Sequence, residues 1–127
     1  MPQYTALVTL LAIAFYFFLA TQVARARKKF GIKHPATTGN PDFERVFRAH
    51  VNTLEWLPIF LVPLWLFAVY LSDVYAAAIG IVWILARAIY FVGYSTAVEK
   101  RVPGFLIQVL ACAVLFIGTV IGVVRHF

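Results

Sequence analysis

Arg48, Glu55 and Arg87 are ionisable side chains within or beside stretches of this sequence that are otherwise apolar. At the centre of a bilayer such a group costs about 2.5–3.5 kcal/mol on insertion scales, so it persists only where it is paired, wet or ligand-bound. Arg48, Asn52 and Glu55 stand at i, i+4 and i+7, which puts them on one face of a helix as a polar stripe. Arg87, Tyr90 and Tyr94 stand at i, i+3 and i+7 on another, with Arg101 just beyond its end. In one arrangement Arg87 pairs with Glu55 between helices and the tyrosines form an interfacial belt. In the other, the surplus of cations decides: one membrane carboxylate cannot compensate Arg48, Arg87, Arg101 and the nearby Arg27. An anionic ligand completes that balance. It would carry more than one negative group for the arginines and a cation for Glu55, with neutral hydrogen bonds from Asn52 and the tyrosine hydroxyls. A small zwitterionic peptide with two carboxylates has this chemistry.

Other chemistries find little support. His34, His50 and His126 lack metal-ligand spacing, so no metal site is expected. Neither a phosphate-binding loop nor a nucleophilic triad motif is present. Cys112, the single cysteine, lies among Ala111, Ala113 and Val114, where a thiol acts as a small apolar group and has no intrachain partner. The formal net charge of +6 would suggest nucleic acid in a soluble protein. Here the basic residues are sorted by loop, as membrane topology requires, and no nucleic-acid partner is expected.

The elements that must position these residues are membrane helices. Of 127 residues, 63% are hydrophobic and 13% charged, more apolar surface than a globule of this size can bury. Four stretches are long enough to span: Thr5 to Val23, Trp56 to Ser72, Val74 to Val98 and Val102 to Val124. The first has no basic residue before it and no clear cleavage site, so it reads as a helix and not a signal peptide. It continues to Phe30, and Gly31 to Pro41 forms the one substantial loop. Asp42 is the expected N-cap of helix two, whose first turns are amphipathic and whose interior carries Pro58 and Pro63, where a bend is expected. Helices two and three form an antiparallel hairpin, and Pro103 starts helix four. Ala76 with Gly80, and Gly118 with Gly122, have the four-residue spacing of close helix approach, within one subunit or between subunits.

Loop charge gives the orientation. Arg25, Arg27, Lys28, Lys29, Lys33, Arg45 and Arg48 lie between the first two spans, and Lys100 and Arg101 between the last two. Those loops are expected on the cytoplasmic side, with both termini on the other. The opposite side shows only Asp73 and Arg125.

Three blocks carry a resemblance to a known family. TTGNPDFERVFRAHVNTLEW (Thr37 to Trp56), LARAIYFVGY (Leu85 to Tyr94) and, more weakly, QVARARKKF (Gln22 to Phe30) resemble the membrane-associated proteins of eicosanoid and glutathione metabolism, in the right order along nearly the whole chain. The resemblance implies an all-α fold, one four-transmembrane-helix domain over residues 1–127, assembling as a homotrimer. Glutathione, the co-substrate, would bind between neighbouring subunits near the cytoplasmic ends of the helices. Arg27, Arg48, Asn52, Glu55, Arg87, Tyr90 and Tyr94 match glutathione-contacting positions. His50 occupies a contact position where family members carry Gln or His. Arg101 matches the arginine credited with stabilising the glutathione thiolate. Trp56 replaces a tyrosine of the cysteinyl-leukotriene synthase and Lys28 the second arginine of its basic pair, which puts one hydrogen bond to glutathione in question. The activity implied is conjugation of glutathione to a hydrophobic electrophile, extending to reduction of lipid hydroperoxides in a membrane-lipid setting. The alternative is a non-catalytic lipid-binding scaffold of the lipoxygenase-activating type. That scaffold lacks the arginine matching Arg48. A transporter, suggested by membrane arginines alone, is a third reading. No motif separates leukotriene, prostaglandin and xenobiotic substrates.

Overall fold

Positive charge and a left-handed glycine end the first helix together. In the computed structural model, which describes residues 1–127, α1 runs Gln3–Phe30 and closes on Gly31 at φ 68°, whose N–H donates to the Arg27 carbonyl. Arg27, Lys28 and Lys29 occupy its last turn, where cations meet the negative end of the helix dipole. Its 28 residues make a rod of about 42 Å at 1.5 Å per residue, about 12 Å more than a hydrocarbon core. The basic turn therefore clears the apolar layer.

The second helix, α2, spans Pro41–Tyr70, and its cap corrects the expectation from sequence. Asn40, not Asp42, is the N-cap: its Oδ1 accepts from the N–H of Asp42 at 2.9 Å and of Phe43 at 3.1 Å. The reason is Pro41, which needs no partner at N1 and pushes the residue before it into the extended backbone of a cap, φ −152° and ψ 125° at Asn40. Asp42 sits in the first turn and ion-pairs with Arg45. The helix runs unbroken through Pro58 and Pro63.

After a two-residue turn, α3 covers Asp73–Thr96 with Ser72 as its cap. A 3-10 turn, Val98–Arg101, then leads into α4, Val102–Val124. Asp73 has a role the sequence did not disclose. Its carboxylate accepts from the N–H groups of Tyr4 at 3.1 Å and Thr5 at 2.8 Å, satisfying orphan donors of α1, which has no side-chain cap of its own.

All four helices are long and apolar enough to cross a membrane, and no strand is present. Their outward faces carry Leu10, Phe17, Val69, Val92 and Leu110, all well exposed, as a lipid-facing surface requires. Inside, Phe60 stacks on Trp83 with centroids 4.0 Å apart, and Trp83 Nε1 donates to Gln108 Oε1 at 2.9 Å. Cys112 is buried in this core. The small-residue pairs resolve as packing within the chain: a Cβ on Gly80 would lie 2.6 Å from Val8 Cγ1, and one on Gly118 would meet the Phe67 ring. Gly122 lies against Tyr70 and Leu71.

Candidate functional site

Helix register sorts the polar residues of α2 into two opposite sides. Ala49, Thr53, Leu57, Phe60 and Leu64 form its buried line against the bundle. Arg48, Asn52 and Glu55 flank that line on one side. His50 lies two residues, or about 200°, from both Arg48 and Asn52, and so on the other.

Arg87 crosses from α3 to the buried line and has 0% exposure. Its Nη2 donates to Asn52 Oδ1 at 3.0 Å and to Thr53 Oγ1 at 2.6 Å, and its guanidinium carbon lies 4.2 Å from the Tyr90 ring centroid. The Arg87–Glu55 ion pair considered from sequence does not form; the one ion pair in the structure is Arg45–Asp42. Two residues past Thr53, Glu55 is turned about 200° away, onto the exposed side of α2. Thr53 was missed in the sequence reading. Its hydroxyl donates to the Ala49 carbonyl at 2.8 Å while accepting from Arg87. The signal was available, since Thr53 is the single polar residue in an otherwise apolar buried line.

With its carbonyl oxygen held by Arg87, Asn52 keeps its amide donors for a cavity of about 280 Å³ lined by Asn52, Tyr90, Tyr94, Arg101, Val102 and Phe105. Tyr90 and Tyr94 meet edge to face at 5.6 Å, and the Arg101 guanidinium carbon lies 5.7 Å from the Tyr94 ring. Arg101 Nη1 donates to the Val98 carbonyl at 2.7 Å, so the 3-10 turn holds its own arginine. Two glycines permit this geometry. A Cβ on Gly93 would strike the Lys100 carbonyl, and one on Gly104 would strike the Tyr90 backbone, so the turn folds back and α4 packs tightly beside Tyr90. Trp56, where a tyrosine would stand in the leukotriene synthase pattern, packs edge to face on Phe105 at 5.6 Å.

A second cavity of about 270 Å³, lined by Pro41, Glu44, Arg45, Arg48, Tyr94 and Val98, adjoins the first at Tyr94. Together they make a groove, cationic at Arg48 and Arg101 and apolar at Val102 and Phe105. Val102 and Leu106 are exposed beside that apolar end. The groove suits a ligand with anionic groups along its length and a reacting partner that arrives from the hydrocarbon.

Besides Arg87, three of the expected residues, Arg27, His50 and Glu55, line neither cavity. Arg27 donates to the Ala36 carbonyl at 2.7 Å, covers the Phe43 ring at 5.1 Å and lines a separate cavity with Val23 and Ile32. His50 stacks on Tyr16 of α1 at 4.8 Å, with both ring nitrogens buried and unpartnered. One copy of the chain gathers Arg48, Asn52, Tyr90, Tyr94 and Arg101, with Arg87 behind them. Glu55 lies farther along the outward side of α2, and Arg27 and His50 lie across it.

Comparison with known proteins gives a consistent picture. Residues 5–121 match the MAPEG family. The chain is 48% identical to an uncharacterized protein of Synechocystis over 93% of this chain and 86% of that one. It is 40% identical to the microsomal glutathione S-transferase 2 of Homo sapiens, over 96% of this chain and 83% of the relative. It is 38% identical to the leukotriene C4 synthase of Cavia porcellus, over 96% and 81%.

Proposed function

The chain belongs to the MAPEG family, and on that premise we propose that it is a membrane-bound glutathione transferase that binds glutathione as a thiolate and conjugates it to hydrophobic electrophiles. Relatives named for glutathione transfer and leukotriene C4 synthesis support the reaction class. The observation that carries the reading is the convergence of Asn52, Tyr90, Tyr94 and Arg101 on one cavity with an apolar end at Val102 and Phe105. Charge-assisted bonds from Arg48 and the tyrosine and amide donors hold the anionic peptide, and Glu55 takes its ammonium group. Arg101 stabilises the thiolate, the nucleophilic form. Arg87, fully buried, acts by fixing Asn52.

Arg27 and His50 complete the site from a neighbouring copy in a homotrimer. Their place on the far side of α2 and on α1 supports this, since no single small ligand reaches both sides of one subunit. The electrophile enters from the hydrocarbon past Leu106, and the same thiolate reduces lipid hydroperoxides. Loop charge supports a groove near the cytoplasmic surface with both termini on the other side. Purified protein given glutathione and a generic aromatic halide forms the conjugate at a rate that falls in Arg101→Ala. Glutathione binding without any turnover of halides or hydroperoxides would favour the scaffold reading instead.

A further inference from the structure

Away from the groove, α1, α2 and α3 enclose a cavity of about 520 Å³ at the basic end of the bundle. Arg25 and Lys29 of α1 line it, with Gln22 and Ser95 as neutral polar groups and Phe30, Val46 and Phe91 as its apolar part. Asp42 is its one acid and is already paired with Arg45, so two cations stand there uncompensated. Neither Arg25 nor Lys29 has an ion-pair partner, and the buried Ser95 hydroxyl has no hydrogen-bond partner.

We propose that this cavity binds the headgroup of an anionic glycerophospholipid. Position along α1 argues for a lipid. Phe18, Gln22, Arg25 and Lys29 stand at i, i+4, i+7 and i+11 and form one stripe. Toward the membrane interior it begins with Phe18, which is 52% exposed, passes through a neutral amide and ends in two cations. A phospholipid has the same order from chain through glycerol ester to phosphate. A free phosphate has no use for Phe30, Val46 and Phe91. Basic pockets between membrane helices at the cytoplasmic surface face the leaflet in which anionic lipids concentrate. The inference rests on the membrane orientation proposed above and not on the conjugating activity.

Full-length protein, delipidated in detergent, is titrated with phosphatidylglycerol, phosphatidylcholine, inorganic phosphate or glutathione, and retained lipid is counted by native mass spectrometry. Phosphatidylglycerol is retained in preference to phosphatidylcholine, and neither phosphate nor glutathione displaces it. The double variant Arg25→Gln/Lys29→Gln weakens phosphatidylglycerol retention roughly tenfold or more. Lys33→Gln/Lys100→Gln, which removes the same charge outside the cavity, leaves retention intact. Ser95→Ala, a change too small to disturb folding, weakens it by a smaller factor. The proposal is overturned if both lipids are retained equally, or if the two double variants behave alike. Displacement by phosphate or by glutathione also overturns it, because the cavity then serves a soluble anion. No turnover is read, so a missing transferase activity leaves this result standing.

Discussion

Arg87 Nη2 donates to Oδ1 of Asn52 at 3.0 Å from a guanidinium with no exposed surface, so a buried charge on α3 fixes the orientation of an amide on α2 that lines the groove. Hydrogen bonds to charged groups contribute about 1.5–3 kcal/mol. Arg87→Met keeps most of the volume and removes both bonds. Glutathione affinity should fall about tenfold, and the thermal midpoint in detergent should fall with it. Thr53→Val takes away one anchor and leaves Asn52 in place, so it should give a smaller loss of both. Parent-like glutathione affinity in Arg87→Met, measured calorimetrically, would show that Asn52 needs no such support.

Arg48 and Glu55 test the ligand's charges separately. Each charge-assisted bond lost should weaken glutathione binding roughly ten- to hundredfold. Glu55→Ala should spare an analogue lacking the amino group, whereas Arg48→Ala should not. Equal binding of glutathione by both variants and the parent would make the stripe on α2 structural.

A site shared between copies predicts complementation. Arg101→Ala removes a residue of the groove, and Arg27→Ala one from the opposite side of α2. Each variant alone should lose activity, while co-expression should restore part of it, because every mixed trimer holds one site with both faces intact. Native mass spectrometry of the parent should give a trimer. Full activity in a monomer is incompatible with this arrangement.

Orientation is open to labelling, since Cys112 is buried and silent. Cysteines replacing Lys33 and Lys100 should react from the cytoplasmic side and one replacing Arg125 from the other. Labelling of Lys33→Cys and Arg125→Cys from the same side contradicts the odd number of spans, α2, α3 and α4, that lies between them.

Periodicity and length carried the four helices, and the spacing of Arg48, Asn52 and Glu55 carried the polar stripe. What sequence could not carry was azimuth between helices. Arg87 is nominally within reach of Glu55, and only the register of α2 against α3 selects Asn52 and Thr53 instead. The glycines illustrate the same limit, since four-residue spacing describes a close approach without naming the neighbour. Asp42 lost the cap to Asn40 through a local rule, the restriction that Pro41 places on the residue before it. Asp73 was legible as a turn residue, but its bonds to Tyr4 and Thr5 join positions nearly seventy residues apart, which no local pattern reveals.

Stabilisation of the glutathione thiolate by Arg101 is open to direct measurement. A free thiol with a pKa near 8.5 is about 3% ionised at pH 7, and lowering it to about 6 gives about 90%. Because nucleophilicity falls with pKa at a slope of about 0.4–0.5, about tenfold of that roughly thirtyfold gain is given back. Any larger loss in Arg101→Ala comes from misplacing the sulfur or from lost charge stabilisation in the transition state, and it should persist in alkaline buffer where the ionisation part recovers. The measurement is the ultraviolet absorbance of the bound thiolate, titrated against pH in parent and Arg101→Ala protein saturated with glutathione. In the parent the midpoint should lie well below that of free glutathione, and in the variant it should move upward. A variant that binds glutathione and titrates with the parent's midpoint contradicts this role for Arg101.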